Sequence, residues 1–115
     1  MMSYEEWKGR IVDCVRAISD EQYQRRSWFG VGPEVNSPDE MICEVFDDLN
    51  VPDFVLRYSS VLTKAELQTG HDFLSAFTAF ADSTPPHLDP NVVFVDKRWK
   101  HIRTLAGRML NEWKS

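Results

Sequence analysis

A chain of 115 residues with 43% hydrophobic and 27% charged residues has the composition of a folded protein, which excludes a disordered tail or linker. Its length suits one domain over 1–115, which would bury very roughly two-thirds of the unfolded surface. The formal net charge of -5 argues against DNA, RNA or an anionic membrane as the partner.

The start, Met1-Met2-Ser3-Tyr4-Glu5-Glu6, lacks the basic residues and apolar core of a signal peptide. No stretch is apolar for long enough to span a bilayer, so a cytoplasmic protein is expected. Cys14 and Cys43 are too few and too far apart for a zinc motif or a disulfide framework, and both are expected as free thiols.

Helix signals dominate the chain. Ser3 with Glu6 forms a capping-box pattern, and Trp7, Ile11, Cys14, Val15 and Ile18 follow at helical spacing, which predicts a helix over about 4–18. Ser19-Asp20 can cap a second, shorter helix carrying Tyr23 and Gln24 that frays near Trp28-Phe29-Gly30. A Gly/Pro loop, Gly30 to Pro33, comes next. Ser37-Pro38-Asp39-Glu40 then places a serine at the N-cap, proline where no amide is needed, and acids at the positive end of the helix dipole. That helix should run over about 38–49 with Met41, Ile42, Val45 and Phe46 inward.

Asn50-Val51-Pro52-Asp53 breaks it, and Phe54, Val55 and Tyr58 suggest a short helical turn or brief helix. Thr63 with Glu66 repeats the capping box, and the broad apolar face of Leu67, Gly70, Phe73, Leu74, Phe77, Phe80 and Ala81 predicts a long helix over about 64–81. A proline-rich loop, Asp82 to Pro90, leads to the β-branched run Asn91–Val95, read as an extended lead-in because no partner strand is evident. The last helix begins near Asp96, with Trp99, Ile102, Leu105, Ala106, Met109, Leu110 and Trp113 on its stripe. The expected fold is an all-α, single-domain bundle of about five helices, with Trp99, Ile102, Leu105, Leu110, Phe73, Leu74 and Phe77 buried together.

No catalytic pattern stands out. His71-Asp72 has no histidine before it to complete a metal-dependent phosphohydrolase site, and His87, Asp89 and His101 complete no coordination set, so no metal or cofactor is expected. Gly30-Val31-Gly32-Pro33 lacks the third glycine of a dinucleotide loop and is read as a turn. Cys14 belongs to an apolar stripe, and Cys43 stands among Glu40, Glu44 and Asp47, whose charge disfavours a thiolate. On the last helix, Lys97, Lys100, Thr104 and Arg108 face away from the stripe with His101 and Arg103 at its margins. That is a solvated face rather than a nucleic-acid surface, because no aromatic residue interleaves.

The most distinctive feature is charge distribution. Between Arg26 and Arg57 there is no lysine, arginine or histidine, yet Glu34, Asp39, Glu40, Glu44, Asp47, Asp48 and Asp53 all lie there. Charge alone would leave this as a solvated helix face. However, the run from Trp28 through Gly30, Ser37-Pro38-Asp39-Glu40 and Phe46-Asp47-Asp48 resembles the central motif of small bacterial immunity proteins of contact-dependent growth inhibition (CDI). In that pattern a tryptophan-containing turn leads through a glycine and a capped start into a helix ending Phe-Asp-Asp. The stretch Asp96-Lys97-Arg98-Trp99 with Ile102, Leu105, Ala106 and Leu110 is similar to the family's closing helix, although that helix tends to start Asp-Pro-Glu-Trp.

The resemblance implies an antitoxin-like inhibitor without enzymatic activity, which binds a cognate toxin domain and covers its active site or substrate surface. Many such toxins are nucleases, whose substrate surfaces are basic, so an acidic inhibitor matches them. Glu40, Glu44 and Asp47 are expected on one outward face at i, i+4 and i+7, flanked by Asp48 and Asp53, and these five are the expected partner-binding residues. The alternative is a helical regulatory or adaptor protein that binds a basic host protein.

Overall fold

The computed structural model describes residues 2–30, 32–33, 35–85 and 87–114; Glu34 of the acidic run and Val31 of the glycine loop lie outside the described residues. The described chain is 76% helical with no strand, so the expected all-α class is observed. The helices are α1 (Tyr4–Ser19), α2 (Glu21–Trp28), α3 (Pro38–Cys43), α4 (Val51–Arg57), α5 (Lys64–Asp82), α6 (Pro90–Val95) and α7 (Lys97–Trp113). A π-helical turn, Glu44–Asp48, continues α3. No helix among the described residues is long and apolar enough to cross a membrane.

The caps read from the sequence are made. Ser3, Asp20, Ser37 and Thr63 each accept a backbone amide at the start of α1, α2, α3 and α5. At Thr63 the box is reciprocal, since the Glu66 carboxylate takes the Thr63 amide at 2.8 Å, satisfying two donors that a helix start leaves unpaired. Gly30 sits at φ 68° after α2, a left-handed geometry that suits glycine.

Two elements correct the expectations. The run Asn91–Val95 is helix, not an extended lead-in: Asp89 accepts the Asn91 amide at 2.9 Å and Pro90 occupies the first turn. Without a partner strand, the β-branched run takes the helix that this cap starts and turns Val93 into the core, tertiary packing overriding propensity. α4 takes the brief helix of the two forms expected there, and with α6 the described residues hold seven α-helical segments in a small all-α bundle. The helix expected over 38–49 changes character after Cys43, where the Leu49 amide reaches back five residues to the Glu44 carbonyl at 2.9 Å. It ends at Asn50, which adopts the left-handed conformation, φ 44°, tolerated by asparagine at helix ends. The buried Trp7 indole donates to the Leu49 carbonyl at 2.7 Å, so α1 satisfies an acceptor that the helix end leaves open.

The core lies between α1, α5 and α7, where α7 packs on both of the others. Phe73, Phe77, Trp99 and Ile102 are fully buried and Leu74 and Leu105 nearly so, while Leu110 is only half-buried. Phe77 lies 5.1 Å from Phe73 and 6.1 Å from Trp99 between ring centroids, within the range where aromatic pairs attract. At Gly70 a Cβ would come within 3.2 Å of the Trp113 ring. The glycine therefore lets α5 and α7 close, and Trp113 donates its indole to the Glu66 carbonyl at 3.0 Å.

Candidate partner-binding surface

The acidic surface is built on α3 and its π turn. The Ser37 hydroxyl receives the Glu40 amide at 3.1 Å, and Met41 and Val45 anchor the opposite side in the core. Glu40, Asp47 and Asp48 are exposed, while Glu44 and Asp53 are half-buried.

The grouping differs from the expected i, i+4, i+7 face. Glu40, Glu44 and Asp48, together with Asp39, line one shallow depression that also includes Val35 and Cys43; Asp47 does not line it. A turn closed from i to i+5 advances more slowly around the axis than an α-turn. The eighth residue after Glu40, not the seventh, is therefore the one that returns to its side. Asp53 lies on α4, where Arg57 pairs with it at 3.1 Å. Asp39, not among the expected binding residues, also accepts the Leu88 amide at 3.2 Å, fastening the start of α3 to the segment before α6.

Among the described residues, Glu40, Glu44, Asp47 and Asp48 make no ion pair. Glu44 and Asp48 also border a second groove with Arg10 and Asp13 of α1, but Arg10 pairs with Glu6 at 3.8 Å.

The two thiols differ in position and agree in chemistry. Cys14, expected in the apolar stripe, is buried, and Cys43 is exposed. Burial first, then the carboxylates of Glu44 and Asp48, push the Cys14 thiol far up. At Cys43, partial desolvation and the Asp47, Asp48 and Asp39 carboxylates push it up as well. A thiol so placed stays protonated and is a poor nucleophile.

The remaining polar candidates are dispersed. His71 and Asp72 are exposed, and Asp72 accepts from Gln68 at 2.9 Å. Among the described residues, no three His, Cys, Asp or Glu side chains are grouped to hold a metal ion. On α7, Lys97, Lys100, His101, Thr104 and Arg108 are exposed. Arg103 instead turns inward to Glu21 at 3.0 Å and to Gln24 at 3.2 Å. Trp28 is a core residue tilted against Trp99 at 5.4 Å, while Phe29 stays partly exposed against Phe94 at 5.6 Å. No family model, no curated protein and no solved structure matches this chain.

Proposed function

We propose that this chain is a bacterial immunity protein, which binds a basic toxin domain and neutralises it by stoichiometric occlusion of the active site or substrate surface. The carrying observation is the set of carboxylates Glu40, Glu44 and Asp48, which share one depression and have no ion-pair partner among the described residues. Such a surface keeps its field for an external cation instead of spending it internally. A nuclease is the toxin class whose substrate surface has matching charge. Steering of this kind raises association rates by about 10- to 1000-fold and falls steeply with salt.

The test pairs growth rescue with kinetics. Co-expression should protect cells from the toxin encoded beside this protein, and the two should copurify. Glu40→Lys with Asp48→Lys should slow stopped-flow association by about tenfold or more at low salt while far-ultraviolet circular dichroism stays unchanged. Equal association rates for parent and variant would remove this surface from the interface. Failure of rescue, with copurification of a basic host protein instead, would favour the regulatory or adaptor reading.

A further inference from the structure

The π turn that continues α3 stops where α1 and α4 meet, and one side chain makes that junction. The buried Trp7 indole of α1 donates to the Leu49 carbonyl at 2.7 Å. Its ring packs edge-on against Phe54 of α4 at 5.1 Å and against Tyr58, which closes α4, at 6.1 Å between centroids. The Arg57 guanidinium lies 5.5 Å from the centre of the same ring. Packing against α4 thus fixes the ring, and a directed bond then fixes Leu49, two residues before α4 begins.

The helix that runs into this anchor has to end on it. The Leu49 amide closes on the Glu44 carbonyl at 2.9 Å, whereas an α-turn would close on Val45, so the π turn holds one residue more. Such geometry is rare and confined to single turns, so a contact from outside is needed to hold it. In the described residues it is the Trp7 indole that bonds the backbone of this turn from another helix.

We infer that Trp7 is a positioning residue for the acidic surface, acting through the Leu49 carbonyl: its bond keeps the turn in the π register, and the register selects which carboxylates stand together. With Leu49 held, Glu40, Glu44 and Asp48 line one depression, and Asp48 also borders the groove beside Arg10. With Leu49 released, its amide closes on Val45, the segment continues at α spacing, and Asp47 replaces Asp48 beside Glu40 and Glu44 at i, i+4 and i+7. The residue freed from the turn passes into the link to α4, where Asn50 already departs from helical geometry at φ 44°. One acidic segment therefore has two charge faces, and α1 chooses between them. The register is a property of the fold alone; its effect on a partner rests on the reading of this surface as a binding one.

Trans-hydrogen-bond NMR couplings in the isotope-labelled protein read the register without any partner. In the parent, the Leu49 nitrogen should couple to the Glu44 carbonyl carbon. Trp7→Phe keeps a ring against Phe54 but has no N–H, and should move that coupling to the Val45 carbonyl carbon. The benzothiophene analogue of tryptophan at position 7, with sulfur in place of the N–H and nearly the same shape, should give the same move and covers the case in which the smaller ring packs too loosely to fold. The surface is then read with hexaamminecobalt(III), a compact cation. In the parent, Asp48→Asn should weaken its binding more than Asp47→Asn does, by at least about threefold, as for one charge lost at short range in water; in the Trp7 variants the order should invert. A Leu49 coupling that fails to move to Val45 in a folded Trp7 variant overturns the inference, and so does a coupling that moves while the order of the two aspartates stays the same. Neither readout involves a toxin, so the function proposed above stands or falls separately, on growth rescue and copurification.

Discussion

At the scale of single residues, Glu66 shows how a side chain can be legible in one role and hidden in another. Its spacing from Thr63 announces the cap, and the cap is made. Nothing local announces that Lys8, 58 residues earlier, reaches the same carboxylate and lies 5.8 Å from the ring centres of both Tyr4 and Trp113. Burial would raise the Glu66 carboxyl, but hydrogen bonds from Lys8 and Thr63 outweigh it and hold the group below its ordinary range. Burial would lower the Lys8 ammonium, yet Glu66 keeps it above its ordinary range. A depressed carboxylate stabilises the fold fully above the unfolded pKa, about 4.3, and loses that contribution as pH falls through the lower folded value. The raised lysine stabilises below about 10.4 and loses its contribution as pH rises through its higher folded value. Glu66→Gln keeps an acceptor for the cap but removes the charge, and should cost about 1–3 kcal/mol at neutral pH. Urea denaturation at pH 7, 4 and 3 should show the variant losing less stability on acidification than the parent; parallel losses would separate Glu66 from the acid response. Phe77 tests the core itself. Fully buried between Phe73 and Trp99, it should cost on the order of 3–5 kcal/mol when replaced by alanine, and a urea-measured loss well under about 1 kcal/mol would contradict that placement.

At the scale of elements, the periodic and capped helices were legible, while α6 and the π turn were not. α1, α5 and α7 have both a cap and a stripe, two signals of different origin that agree, and their bounds lie within about two residues of those expected. α6 has a cap but only a short β-branched body, and a short run is ambiguous between helix and strand until its neighbours decide. Asp89-Pro90 was the available signal, being the same device as Ser37-Pro38. Asp89→Ala should therefore cost about 0.5–2 kcal/mol through loss of that cap, measurable by chemical denaturation; an unchanged midpoint would show that packing alone holds α6. The π turn was invisible because its hydrogen-bond register depends on where Leu49 and Trp7 meet, not on residue type. Its consequence is specific: Asp48, rather than Asp47, shares the depression with Glu40. Asp48→Lys should therefore slow association with a basic partner more than Asp47→Lys does. Equal effects in stopped-flow measurements would mean that the field of the whole helix matters and the depression does not.

At the scale of the molecule, charge is segregated by chain segment. The segment between Arg26 and Arg57 holds seven acids and no basic residue, and the remainder of the chain is net positive although the whole carries -5. Asp39, Glu40, Glu44, Asp47 and Asp48 lie on α3 and its π turn, whose other side is core, and Glu40, Glu44, Asp47 and Asp48 make no ion pair among the described residues. Carboxylates held in this way repel, and the unfolded chain relieves the repulsion by separating them. The native state therefore gives up some stability to keep the surface, which is the condition expected where a binding field opposes folding. Screening should return part of it, since the Debye length shortens from about 30 Å at 0.01 M to about 8 Å at 0.15 M salt. The partly buried Lys8–Glu66 pair is screened much less, so its weakening should not cancel the gain. The thermal midpoint of the parent should thus rise between 0.01 M and 0.15 M sodium chloride, as in the Debye comparison, and the Glu40→Lys, Asp48→Lys variant should start higher and rise less. A midpoint indifferent to salt in both proteins would mean that the carboxylates are far enough apart, or well enough hydrated, to lie together at no cost.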